Sequence, residues 1–122
     1  FDYNKTIQAS QDRMESSDFI SLIDDNAKWI KSIRDRDIYD LNYKKFKDDL
    51  LSNEEKAKKF KKISEYSSDL VFSSLPYEIA LIAKDSTLGE KRKRWHKNLA
   101  KDIYVNEALN VLNDLRLSYI DR

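Results

Sequence analysis

Residue types able to do chemistry are few in this chain, and they are scattered. His96 is the only histidine. A lone imidazole is open in principle to general-base, metal-ligand and pH-switch roles. A metal site needs three or four ligands, however, and Arg94 and Lys97 beside His96 would repel a cation. His96 therefore reads as a surface or boundary residue. The carboxylate pairs Asp24–Asp25, Asp48–Asp49 and Glu54–Glu55 are adjacent in sequence, so on a helix they point about 100° apart. Acid–base catalysis needs two carboxyls that converge across a cleft, in environments that split their pKa values. Serines are common, yet neither a Gly-x-Ser-x-Gly elbow nor a Ser-x-x-Lys occurs. A serine nucleophile also needs backbone N–H groups in a tight turn to hold its oxyanion, and Gly89 is far from any promising Ser. The absence of cysteine excludes disulfides, thiolate catalysis and zinc–thiolate sites, and leaves the compartment open. The expectation is a segment with no catalytic, cofactor-binding or metal-binding residues of its own.

The remaining chemical feature is the basic stretch 90–101, "EKRKRWHKNLAK", which holds six Lys/Arg against one acid and includes Trp95. Phosphate neutralisation with aromatic stacking would use such a set. The alternative is that Lys91, Arg92, Lys93 and Arg94 solvate one exposed turn while Trp95 plugs the core. Residues 35–69 hold nine basic and nine acidic residues, so no basic track continues from the patch. Net charge is +1 while 37% of the chain is charged, a mixture suited to solvated helix faces rather than to a nucleic-acid grip. No specific nucleic-acid partner is expected.

Any such surface has to be positioned by helices. With one Gly and one Pro, the chain can hardly supply the tight turns of sheets, barrels or phosphate loops. At 122 residues it fits one domain, with no apolar run near the roughly 20 residues that span a bilayer. The pattern predicts helices over 4–16, 19–34, 43–66, 77–84 and 102–120. Asp18, Asn42 and Asp102 are placed as N-caps, and Pro76 opens the fourth helix. Phe19, Ile20, Leu22, Ile23, Trp29, Ile30 and Ile33 form a wide apolar stripe on the second helix. The third is long and charged, with a narrow seam through Phe46, Leu50, Ala57, Phe60 and Ile63. Tyr104, Ala108, Val111, Leu112, Leu115 and Tyr119 give the last helix a broad apolar face. Between the second and third helices, "DIYDLN" reads as an apolar plug, Ile38, Tyr39 and Leu41, followed by the Asn42 cap. Leu70, Val71 and Phe72 could form a short strand against Ile38–Leu41, and Gly89 marks a turn. The fold class is thus mainly α, an irregular helical bundle with one long charged helix and short extended segments near 37–42 and 70–75. These faces offer more apolar surface than the long helix can cover. Leu70, Val71, Phe72, Leu75, Ile79 and Ile82 are the candidate docking surface.

Four stretches, in order, carry a resemblance: "QDRMESSDF", "RDRDIYDLNYKKF", "EEKAKKFKKI" and "KDIYVNEALNVLNDL". Their sequence of features resembles the C-terminal region of tail-specific proteases, the periplasmic C-terminal-processing serine peptidases. In that family a Ser-Leu-Asn-like tripeptide opens a long charged helix, and a final helix carries a Glu-Ala-Leu-Asn-like core. Here the tripeptide is Asp40-Leu41-Asn42, with Asp where Ser is usual, and the core is Glu107-Ala108-Leu109-Asn110. The resemblance covers 10–66 and 102–116, with 67–101 as an elaboration.

The resemblance implies that 1–122 is a single helical domain, the C-terminal accessory segment of a longer periplasmic serine endopeptidase. Its Ser/Lys dyad and PDZ domain would lie outside this segment, and the start at Phe-Asp-Tyr without Met agrees with that. The expected partners are the peptidase and PDZ domains of the same parent chain and unfolded protein substrates recognised at their C-termini. The parent would be membrane-associated or soluble in the periplasm. The competing reading is an independent helical module that binds a protein partner or RNA through 90–101.

Overall fold

A computed structural model describes residues 1–120 and is all-helical. Its α-helices are α1 (Tyr3–Ser16), α2 (Asp18–Arg34), α3 (Tyr43–Phe60), α4 (Pro76–Ile82), α5 (Ser86–Leu99) and α6 (Ile103–Ile120), and no strand occurs among the described residues. Segments 36–42 and 66–75 both run outside helices, as expected, but they form no strand pair. The chain divides into two compact units. One joins Phe1–Ser10 to the chain from Tyr66 onward, and the other is Gln11–Glu65.

In the Gln11–Glu65 unit, α2 begins one residue earlier than its apolar stripe suggests. Ser17, not Asp18, is the N-cap: its Oγ accepts from the Ile20 N–H at 3.3 Å. Asp18 becomes the first helical residue, where its charge still favours the positive end of the helix dipole. Asn42 caps α3 as expected, and its Oδ1 accepts from the Lys44 and Lys45 N–H groups at 3.1 and 3.3 Å. The long helix does not run unbroken to 66. After Phe60 it tightens into a 3-10 helix, Lys61–Glu65. Trp29 of α2 and Phe60 of α3 meet at 5.3 Å between ring centroids, both half-buried. Ile30 and Ile33, at the far end of the α2 stripe, stay exposed.

The joint between α2 and α3 corrects the plug reading. Leu41 is 98% exposed and Ile38 84%. What holds the joint is polar. The Arg36 side chain donates from Nε to the Ile38 carbonyl at 3.2 Å and from Nη2 to Asp49 at 2.7 Å, and it lies over the Tyr39 ring. Asp40 accepts from the Asn42 N–H at 2.9 Å and pairs with Lys45 at 3.0 Å. The Asn42 N–H first, and the Lys45 bond second, hold the Asp40 carboxyl below its ordinary range. Folding thus favours the ionised form. Asp40's contribution is complete above the ordinary carboxylate range and fades as pH falls through the lowered value. With these short-range bonds the backbone needs no apolar anchor, so Ile38 and Leu41 are left to solvent.

In the other unit, the start of α1 and α6 run in opposite directions. The Asp2 N–H donates to Ser118 Oγ at 3.2 Å, and Ser10 Oγ donates to Glu107 Oε1 at 2.7 Å. Phe1 lies 5.6 Å from Tyr119, ring to ring. Thr6, 5% exposed, is buried here, and its Oγ1 donates back to the Asp2 carbonyl. Asp102 caps α6 as expected, accepting from the Tyr104 and Val105 N–H groups. The face of α6 differs from the expected one. Its half-buried positions include Glu107, Asn110, Asp114 and Ser118 besides Val111 and Leu115, while Tyr104, Leu112 and Tyr119 are exposed. The polar bonds of Asp2 and Ser10, with the Phe1–Tyr119 ring contact, tie α6 to the start of the chain. No apolar side chain among the described residues is buried.

Candidate docking groove

The stretch 85–99 is a helix that the sequence pattern did not reveal. Asp85 is its N-cap, with Oδ1 accepting from the Thr87 and Leu88 N–H groups at 2.9 and 3.2 Å. Gly89, expected to mark a turn, sits inside α5 without a positive φ. Its reason is space. A Cβ at Gly89 would stand 3.0 Å from Ile82 Cγ2 of α4, so the missing side chain is what lets α4 and α5 approach. Leu88, Trp95 and Leu99 recur at intervals of 7 and 4, a helical spacing that could have exposed α5. The Gly and the dense charge obscured it.

Pro76 starts α4 at the position where a missing N–H costs nothing. Leu75 has no side-chain acceptor, so only half of a capping box forms: Glu78 Oε2 accepts the Leu75 N–H at 3.4 Å. The other oxygen, Oε1, pairs with Arg92 Nη2 of α5 at 2.5 Å. Glu78 is 14% exposed, so its side chain joins the start of α4 to the middle of α5 in a largely desolvated place. Arg92 also lies over the Trp95 ring, 5.3 Å from its centroid. Arg92 Nε is buried and has no hydrogen-bond partner. At the far end of α5 the Ala100 carbonyl accepts from both the N–H and the Oγ of Ser68, at 2.7 and 2.8 Å. That double bond of a small residue pins the 66–75 segment against the helix end.

These ties produce a groove lined by Phe72, Leu75 and Tyr77 on one side and Trp95, His96 and Leu99 on the other, with the Glu78–Arg92 pair across it. Of the six candidate docking residues, the fold brings Phe72 and Leu75 into this groove. Val71 is 93% exposed and Ile79 is also exposed, while Ile82 is half-buried beside Gly89 and Leu70 half-buried in the connecting segment. Trp95 does not plug a core: it is 50% exposed and forms part of the groove. Tyr77, Glu78, Arg92 and Leu99 belong to the groove without having been singled out for it. Nor do the basic residues form one exposed turn. On a helix of about 100° per residue, Lys91 and Lys93 flank Arg92, while Arg94 and Lys97 fall on the opposite side of α5.

Among the described residues, no group of three or more His, Cys, Asp or Glu is placed to hold a metal ion, and no helix is long and apolar enough to cross a membrane. In comparisons with known proteins, no curated protein and no solved structure matches the chain. A protein-family model does, and it is described as the C-terminal domain of tail-specific protease (DUF3340). The match runs over residues 1–116, so it takes in residues of both compact units and the 67–101 stretch that the sequence comparison treated as an elaboration. The chain belongs to the family of C-terminal domains of tail-specific proteases.

Proposed function

We propose that this domain is the non-catalytic accessory part of a periplasmic serine endopeptidase, and that it docks on the peptidase core and helps shape the surface where unfolded substrates are handled. The Ser/Lys dyad that cleaves those substrates, and the PDZ domain, belong to other parts of the same protein. The observation that carries this reading is the near-complete exposure of Leu41, Val71 and Ile38 on a chain with no buried apolar side chain among its described residues. Apolar side chains bared to this degree, Ile38 with Leu41 in one unit and Val71 in the other, are candidates for contact sites. Family membership supplies the context, since the domain is by description a part of a tail-specific protease. Each unit has its own apolar docking residues: Val71 and Ile79 around α4 in one, Ile38 and Leu41 in the joint of the other.

The test uses the complete protease. Val71→Asp with Ile79→Asp changes only exposed positions, so it leaves the helical content and melting of the isolated chain unaltered. In the complete protease the pair lowers the rate at which an unfolded protein is processed and lowers the melting temperature. Unchanged processing and unchanged melting of the complete protease would refute the reading.

A further inference from the structure

We infer that the groove between α4 and α5 is a binding site for an acidic peptide segment that carries one aromatic or leucine side chain. It is separate from the docking set of the proposed function and does not rest on that reading.

Three features carry the inference. The first is that the groove is held open by its own bonds. Glu78 ties α4 to α5, Ser68 ties the 66–75 segment to Ala100, and Gly89 sets the helix approach. A site formed without a ligand loses little ordering entropy when one enters. The second is its floor. Leu75, Tyr77 and Trp95 are each at least half exposed, so water now covers an aromatic surface able to take an apolar side chain.

The third is charge. Glu78 is the one acid that lines the groove, and both of its oxygens are already engaged, by Arg92 and by the Leu75 N–H. By helical spacing Lys91 and Lys93 stand about 100° to either side of Arg92, Lys93 with the exposed Glu90 3.6 Å away, and the whole 90–101 stretch holds six Lys/Arg to that one acid. An apolar floor beneath a positive rim matches a peptide that has its anchor side chain flanked by Asp and Glu. A nucleic acid fits less well. It needs a basic track along several phosphates, whereas Arg94 and Lys97 face away from the groove and α6 brings Glu107 and Asp114 against a single Arg116.

The experiment titrates the chain with a short fluorescent peptide containing one Phe between Asp and Glu residues, read by anisotropy at low and high salt. Two control peptides replace the Phe with Gly or the acids with Lys. Saturable binding is expected, with each control weaker by about tenfold or more. Leu99→Asp and the exposed-site variant Tyr77→Ala should each weaken the parent peptide to a similar degree, and Lys91→Glu with Lys93→Glu should remove its salt dependence. Helical signal checks that each variant is folded. Equal binding of the three peptides, or binding by a folded Tyr77→Ala variant that matches wild type, would overturn the inference. So would a single-stranded oligonucleotide that displaces the peptide, binds more tightly, and is indifferent to Tyr77→Ala. That result would make 90–101 a polyanion surface instead.

Discussion

At the scale of single residues, side-chain oxygens decide where this chain turns. Ser17, Asn42, Asp85 and Asp102 each accept from backbone N–H groups at a helix start. Such groups would otherwise have no partner in the first turn. The joint at 36–42 makes the contrast with apolar anchoring sharp, because Asn42 holds backbone while the adjacent Leu41 holds nothing within the described chain. Asn42→Ala is therefore expected to cost about 1 kcal/mol. Leu41→Ala should fall within about 0.5 kcal/mol of wild type, the range of surface changes that break no such bond. Urea melts of the isolated chain measure both. A Leu41→Ala loss as large as that of a core truncation, about 2–5 kcal/mol, would mean that Leu41 is buried after all.

At the scale of elements, two of the four caps, Asn42 and Asp102, could be read from the sequence, because each stood directly before or at the head of a periodic run. At Ser17 the neighbouring Asp18 was chosen, and Asp85 went unread because α5 itself did. What could not be read was set by partners distant in sequence. Gly89 looks like a turn when its neighbours alone are considered; only Ile82, across the α4–α5 contact, explains a glycine inside a helix. The half-buried polar stripe of α6 likewise makes sense only beside Ser10 and the Asp2 N–H of the chain start. The candidate groove was half legible for the same reason. Phe72, Leu75 and Trp95 each drew notice, but no local pattern could show that 66–75 is pinned at Ala100, or that Glu78 reaches Arg92. The Gly89–Ile82 contact makes a sharp prediction. Ala is favoured over Gly in a helix interior by about 1 kcal/mol, but here its Cβ presses on Ile82. In an Ile82→Ala background, Gly89→Ala should stabilise the chain by up to about that amount. In the Ile82 background the gain should vanish or reverse, and a double-mutant cycle on thermal melts reads the difference. Equal effects in the two backgrounds would show that the helices do not meet at this point.

At the scale of the whole molecule, the chain is rich in helix and poor in buried apolar surface. Its units are held by caps, ion pairs and a few aromatic contacts such as Trp29–Phe60. Membership of the tail-specific protease family gives such a chain a natural setting. A domain that is covered by its own protein can leave apolar side chains outward that an independent one would have to bury. The central claim is that Leu41 and Val71 face the peptidase part of that protein. Because the chain has no native cysteine, single thiols can be placed at these positions cleanly. The decisive measurement is the rate at which Leu41→Cys and Val71→Cys react with a water-soluble maleimide, followed by mass spectrometry of the labelled peptides, in the isolated chain and in the complete protease. Both thiols should react in the isolated chain at the rate of a free exposed thiol, and both should be strongly protected in the complete protease. Equally fast labelling in the two settings would contradict the account.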